Sequence, residues 1–409
     1  MHLSHLKLVN FRSFRMLEFD LPQGPTVLVG SNAQGKTTVL EAIYLLAIAK
    51  SFRAENEREV VNWQATSNLE QAVVDGVIFG KEGRTRIIVG YQPFQISPTI
   101  QNPSEPSYSV HKEIRVGGVK RTAADLVGLM NVVLFSAEDI DLVQGSPSLR
   151  RRYLDILISQ ADPSYLRSLQ RYQRVLYQRN QLLKFLRDGR AKEKELEFWD
   201  QELSQEGALI TQRRAQAVDA VADTARKTLE ELTEGREELQ FNYQPSVSPG
   251  SDVESTREGF VKALEDSRRR EVGLGSTVVG PHRDDFKLVV NGVDMGTYSS
   301  RGQARTLALT LRLSEASYLT AYKGEPIVLL DDILSELDAQ RRRQVLDRVL
   351  GYHQTLITAT DLGPFEADFL AQAAVYQIKD GLVEPTGSAS GRVTPAAVSH
   401  SNPLTTSSP

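Results

Sequence analysis

The sequence predicts an α/β protein: mixed sheets with flanking helices built around a phosphate-binding loop, joined to a mainly helical second lobe. Three observations carry this. "TVLVGSNAQGKTTVLEAIYLLA" (26–47) is a buried-strand pattern, a glycine-bounded loop and an apolar helix in one stretch. "PIVLLDDILSELD" (326–338) is a second buried strand, ending in two aspartates. Between them, from 147 to 237, apolar residues recur at helical spacing among many charged ones.

In chain order, residues 3–21 alternate polar and apolar and read as two short strands around Asn10 to Ser13. Residues 26–30 are a strand and the residues after the loop a helix. Residues 70–91 read as strands with a turn near "GKEGR". Residues 92–107 hold four prolines and little periodicity, the composition of a mobile loop. "HKEIRVGGVKR" (111–121) reads as a hairpin around Gly117-Gly118. Leu154, Leu157, Ile158, Leu166, Leu169, Leu176 and Leu183 then mark two or three long amphipathic helices, without the sustained heptads of a long coiled coil. "FKLVVNGVDM" (286–295) is a strand, an Asn-Gly turn and a strand, followed by helix, strand, helix and strand to about 384. The expected division is 1–146 and 238–384 for the two parts of the α/β lobe, 147–237 for the helical insert, and 385–409 for a disordered tail.

Composition narrows the function. A length of 409 residues suits two or three domains. With 48 basic and 52 acidic residues, a generally basic surface is excluded, so nucleic-acid binding needs a local patch or a dimer groove. The absence of cysteine excludes disulfides and thiolate metal sites. No apolar run approaches the roughly 20 residues that span a bilayer, and "MHLSHLKLVNFRSF" has no signal pattern. A cytoplasmic protein is expected.

"GSNAQGKT" matches G-x-x-x-x-G-K-[ST] between a strand and a helix, the context a phosphate loop requires. The backbone of Gly30, Ser31, Asn32, Ala33, Gln34 and Gly35 is expected to turn its N–H groups onto phosphates at the positive end of the helix that starts with Lys36, Thr37 and Thr38. Lys36 reaches the β- and γ-phosphates, and the Thr37 hydroxyl is a ligand for Mg²⁺. Asp331, at a strand end beside such a loop, is the second Mg²⁺ ligand, and Asp332 is placed to orient or deprotonate the attacking water. "SSRGQARTLALTLRLSEA" (299–316) sets Ser300, Arg301, Gly302 and Gln303 at the start of an apolar helix, an anion site of hydroxyl and N–H groups. Because the chain's own loop already surrounds a nucleotide's phosphates, this second site suggests service to a partner's nucleotide. His282, Arg283, Asp284 and Asp285 read as a structural polar network. The basic runs at 149–152, 268–270 and 341–343 read as solvated helix faces, with Arg150, Arg151 and Arg152 the best placed for DNA.

In this order the loop, the Ser-x-Gly-Gln signature, "LLDD" and "SELD" resemble the ABC-type ATPases. Within them the chain is similar to the RecF family, through "NFRSF", "LFSAEDIDLVQGSPSLRRRYLD", "RNQLLK", "GPHRDDF", "SSRGQARTLALTLRL" and "LLDDILSELD". These stretches cover residues 3 to about 384. The resemblance implies an ABC-type ATPase head with ATP and Mg²⁺. It also implies an ATP-dependent homodimer on duplex, gapped or junction DNA, and a RecR-like mediator that helps load the RecA strand-exchange protein. It gives Arg12 a place at the nucleotide and makes Asp338 a D-loop residue. Asp332 stands where many relatives have Glu, so its carboxylate sits about 1.5 Å further back and hydrolysis should be slow. "LITATD" lacks the usual histidine, leaving Thr360 as the expected γ-phosphate sensor among Thr358, Thr360 and Asp361. Two other classes stay open: an ABC transporter ATPase subunit, and a structural DNA clamp that holds ATP without turnover.

Overall fold

The computed structural model describes residues 1–80, 83–95 and 108–386. Two six-stranded sheets sandwich one helix. The first sheet is antiparallel, made of β1 (His2–Phe11), β2 (Phe14–Asp20), β4 (Ala72–Gly80), β5 (Gly83–Gln95), β6 (Tyr108–Val116) and β7 (Val119–Arg121), in the order β2-β1-β4-β5-β6-β7. The second contains β3 (Gly24–Val29), β8 (Val132–Ser136), β12 (Ile327–Asp331), β13 (Gln354–Ala359), β14 (Ala374–Lys379) and β15 (Leu382–Pro385), in the order β15-β14-β3-β13-β12-β8. It is parallel except for the edge strand β15.

The parallel strands are apolar on both faces because both are covered. Leu28, Val132, Leu134, Ile327, Leu329 and Leu356 pack toward helix α1 (Lys36–Ile48) and the antiparallel sheet. Val27, Val133, Phe135, Val328, Leu330 and Ile357 pack toward the other helices. α1 is buried nearly all round, which explains why "TTVLEAIYLLA" has no polar stripe.

The helical lobe starts with α2 (Pro147–Ala161), α3 (Pro163–Arg187) and α4 (Leu196–Thr233). The 38 residues of α4 span roughly 57 Å at 1.5 Å per residue. The expected boundary at 237 is too early. α5 (Val253–Leu274) packs on α3 and α4, tied by polar groups that a sequence pattern does not reveal. Arg179, fully buried, donates to Asp200 (2.7 Å), Glu271 (2.7 Å) and the Thr277 hydroxyl (2.8 Å). Gln212 reaches the Thr256 hydroxyl at 2.7 Å, and the Phe260 ring sits so close to Gly207 that an added Cβ would meet it at 2.5 Å. The helical lobe therefore includes a segment assigned from sequence to the second α/β part. A small antiparallel sheet, β11 (Val293–Asp294), β10 (Asp285–Val290) and β9 (Leu239–Gln244), packs beside α4. Two helices complete the lobes, α6 (Arg301–Tyr322) and α7 (Ala339–Val349).

Both glycine-turn hairpins form as expected: Gly117 and Gly118 have φ of 58° and 84°, and Asn291 and Gly292 have 49° and 81°. Gln92–Gln95, expected in a mobile loop, is instead the end of β5, paired with β6; 96–107 lie outside the described residues. Pro385, expected in the disordered tail, instead ends β15, and the Thr386 N–H donates to the Val375 carbonyl at 2.9 Å; 387–409 lie outside the described residues. No helix among the described residues is long and apolar enough to cross a membrane.

"GPHRDD" is the structural knot the sequence reading favours. Buried Arg214 donates to the Pro281 carbonyl (2.6 Å) and to Asp155 (2.8 Å). Asp284 accepts from the Ser246 N–H (2.8 Å) and the Tyr243 hydroxyl (2.5 Å). His282 Nδ1 lies 2.7 Å from the Tyr172 hydroxyl, and burial pushes its pKa down to about 4, so the ring stays neutral. This knot absorbs two residues expected on DNA. Arg150 pairs with Asp285 at 2.6 and 2.8 Å, and Arg151 donates to the Asp284 carbonyl at 2.8 Å. Of the three, only Arg152 is exposed and without a partner among the described residues. The other basic runs are engaged in part: Arg268 with Asp200, Arg341 with Asp338, and Arg343 with Glu366, while Arg269 and Arg270 are exposed.

Candidate nucleotide site

The loop between β3 and α1 has the predicted form. Gly30 passes so close to β14 that a Cβ would lie 2.4 Å from the Ile378 carbonyl oxygen. Gly35 caps α1 with φ of 102°, where any side chain would be strained and would also meet the Phe14 ring at 2.7 Å. Lys36 folds back over the loop, its Nζ donating to the carbonyls of Gly30 (2.6 Å) and Ser31 (3.0 Å). Burial lowers the pKa of this ammonium, while Asp332 and Asp331 pull it back up. Gln34 turns away, its carbonyl oxygen accepting from the Asp380 N–H at 2.7 Å and fastening the loop to the β14–β15 turn.

β12 delivers the carboxylates. The Thr37 hydroxyl donates to Asp331 Oδ1 at 2.8 Å. β12 and β13 pair in parallel with Asp331 opposite Thr358, so the Thr358 hydroxyl also donates to Asp331 Oδ1, at 2.9 Å. The same hydroxyl accepts from the Asp332 N–H at 2.9 Å. Asp332 has φ of 52°, a left-handed conformation that costs on the order of 1 kcal/mol for a residue other than glycine. Thr358, 1% exposed, holds it there. Partial burial raises the Asp332 carboxyl above its ordinary range, against the opposing pull of Lys36.

One cavity of about 510 Å³ is lined by Asn32, Ala33, Gly35, Lys36, Thr37 and Thr38 on one side and Asp332 and Thr358 on another; Gly30, Ser31, Gln34 and Asp331, also expected at the site, are not in its lining. Arg12 lines it as well. Its guanidinium is fixed by the buried Glu41 (2.6 Å) and the Glu59 carbonyl (2.9 Å), which sets its orientation before any ligand arrives. The sequence reading missed Arg53, Glu59, Val61 and Trp63 in this lining. Trp63 is 74% exposed, and the signal for it was a lone tryptophan after a helix-capping Asn62.

Six expected residues stand elsewhere: Thr360, Asp338 and the four of the signature group. Thr360 is exposed, its hydroxyl 3.3 Å from Asp361, and does not line the cavity; the threonine that lines it is Thr358, inside β13 and opposite Asp331, whereas β13 ends at Ala359 and Thr360 falls in the bend beyond it. Asp338 caps α7, accepting from the Arg341 N–H at 2.9 Å, so its carboxylate already has a structural partner. The signature group forms a capping box: Ser300 Oγ accepts from the Gln303 N–H (3.2 Å) while Gln303 Oε1 accepts from the Ser300 N–H (3.1 Å). Ser300, Arg301 and Gly302 are exposed, and none of the four lines the chain's own cavity.

The RecF/RecN/SMC N terminal domain family matches this chain over residues 2–381. The chain belongs to the RecF family. Its curated relatives include proteins called DNA replication and repair protein RecF from Chloroflexus aurantiacus, 40% identical with 94% of this chain and 99% of that protein covered, and from Halalkalibacterium halodurans, 35% identical with 95% and 100% covered. A solved structure described as the recombination mediator protein RecF with ATP in the RecFOR pathway superposes with a TM-score of 0.83 at 34% identity, covering 94% of this chain and 98% of that one. An Smc head domain from Pyrococcus furiosus shares the fold alone, with a TM-score of 0.52 at 15% identity. The RecF likeness runs through both lobes, so the helical insert belongs to the family fold rather than to this chain alone.

Proposed function

We propose that this chain is an ATP-dependent DNA-binding protein of recombinational repair and replication-fork maintenance, assembled into a dimer by ATP. The observation that carries the reading is the separation of two phosphate-seeking sites. One surrounds Lys36; the other, at Ser300, is exposed and contributes nothing to the lining of that cavity. A triphosphate seated on Lys36 of one copy and met by Ser300 and Gly302 of another would join them head to tail. The relatives' description as RecF, and the ATP-bound RecF structure, support this reading.

In this account Lys36 exchanges its two loop carbonyls for phosphate oxygens, and the start of α1 adds its N–H groups and positive end. The Thr37 hydroxyl and the Asp331 carboxylate, in contact with each other, suit Mg²⁺, an oxygen-seeking cation that takes few protein ligands beside phosphates and water. When bound, the ion offsets phosphate charge. Asp332 orients the attacking water and accepts its proton. Loss of the γ-phosphate removes the bridging charge and frees the DNA, which is held through its backbone with little sequence preference. By resemblance, the dimer hands DNA to a RecR-like mediator that helps load RecA. Slow hydrolysis fits a switch rather than a motor.

Ser300→Arg is the direct test. Monomers should bind ATP with unchanged affinity while ATP-driven dimers vanish in size-exclusion light scattering. Dimers persisting in this variant would refute head-to-tail assembly through the signature helix. A second test addresses turnover. Thr358→Val removes the hydroxyl that fixes both aspartates and should reduce phosphate release by about tenfold or more, the worth of one lost hydrogen bond to a charged group, with little change in ATP affinity. Thr358→Ser should restore most of the rate. Equal rates for valine and threonine would show that the hydroxyl does not position Asp332.

A further inference from the structure

A second recess, of about 530 Å³, opens where the end of α1 and β6 face α2 and α3. It shares no residue with the nucleotide cavity. Its wall is aliphatic, from Val127, Ile156, Leu166, Leu169 and Leu176. Its charged groups are unevenly matched. The acids are spent: Glu57 accepts from Lys112 at 2.5 Å, and Asp155 accepts from Arg214 at 2.8 Å and the Tyr165 hydroxyl at 2.5 Å. Lys50, Arg151 and Arg152 have no ion-pair partner among the described residues, and Arg151 finds only the Asp284 carbonyl. Burial, and then the neighbouring Arg214, lower the pKa of Arg151, while Asp285, Asp155 and Asp284 pull it back up.

We propose that this recess docks an acidic peptide segment bearing aliphatic or aromatic side chains, supplied by a partner protein. The volume lies within the range of ligand sites. Lys50 and Arg152, one from each lobe, exposed and without an ion-pair partner among the described residues, match carboxylates, and the wall matches apolar side chains inserted between them. Nucleic acid fits less well. A duplex is held through phosphates on an open surface and leaves an aliphatic wall unused. A single strand stacks its bases on aromatic faces, and the aromatic residue here, Tyr172, is 1% exposed with its hydroxyl committed to His282. Lys36 begins α1 and Lys50 follows its end, so one rigid helix connects the nucleotide loop to the recess.

The test uses the full-length protein and a phage-displayed library of short random peptides, counter-selected on the double variant Lys50→Glu, Arg152→Glu. Both side chains are exposed and unpartnered, so the variant should melt and bind ATP as the wild type does. Expected are enriched sequences that combine acidic with aliphatic or aromatic residues. Their labelled copies should bind the wild type and lose about tenfold or more in affinity on Arg152→Ala and on Ile156→Ser. Binding should also weaken as salt rises. No enrichment, or peptides that bind the variants equally well, would overturn the proposal. So would loss of duplex or single-strand binding in the variants with no peptide selected, an outcome that assigns the recess to nucleic acid.

Discussion

Lys36→Met is expected to cost most of the affinity for ATP and, with it, the proposed ATP-driven dimerisation. The methionine side chain has similar length and no charge. In the structure the Lys36 ammonium is held at 2.6 and 3.0 Å by two loop carbonyls, already inside the cradle that a triphosphate enters. Removing it leaves those carbonyls unpaired and the incoming phosphates without their nearest fixed cation. Truncating one member of a desolvated charge pair costs about 2–5 kcal/mol, a loss of roughly 30- to 4000-fold in affinity. The fold should survive, because Gly30, Gly35 and Gln34 anchor the loop without the lysine. Titration calorimetry with ATP, paired with a thermal melt, checks both halves. Wild-type affinity in this variant would mean that the nucleotide sits elsewhere.

Arg179→Met is the second large effect, on stability. The guanidinium is 0% exposed and joins three helices of the lobe by binding Asp200, Glu271 and Thr277. Methionine fills much of the volume but strands two buried carboxylates, of which only Asp200 keeps another cation, Arg268. Breaking a buried pair from one side costs about 3–5 kcal/mol. At about 2–4 °C per kcal/mol for a domain of 150–250 residues, Tm falls by roughly 6–20 °C. Denaturant unfolding followed by the fluorescence of Trp199, which packs on the lobe's core, measures it. A change below about 1 kcal/mol would show that the three helices hold together by apolar packing alone.

Much of the candidate nucleotide site was legible because its residues are consecutive. The phosphate loop needs glycines, a lysine and a threonine at fixed spacing, and the capping box at Ser300 is likewise local. Thr358 illustrates the limit. Its sequence neighbourhood, "LITATD", offers two threonines, and nothing local distinguishes them. The register of β13 against β12 does, by setting Thr358 opposite Asp331, and the strand ends at Ala359, which leaves Thr360 beyond it and exposed. Arg150 and Arg151 show the same limit from the other side. A run of arginines in a helix looks like a free basic face, yet Asp285 and the Asp284 carbonyl, more than a hundred residues away in the chain, bind two of them.

The sequence by itself determined the phosphate loop, the carboxylate-ended strand, the signature cap and the existence of a helical lobe. Each is written in residues a few positions apart, where backbone geometry and periodicity act directly. Only the tertiary structure decided which threonine meets Asp331, that α5 belongs to the helical lobe, that Arg53 and Trp63 border the cavity, and which arginines keep an unspent charge. Those outcomes depend on buried polar pairs between distant segments. Such pairs form only once the apolar faces have brought the segments together, so no local pattern records them.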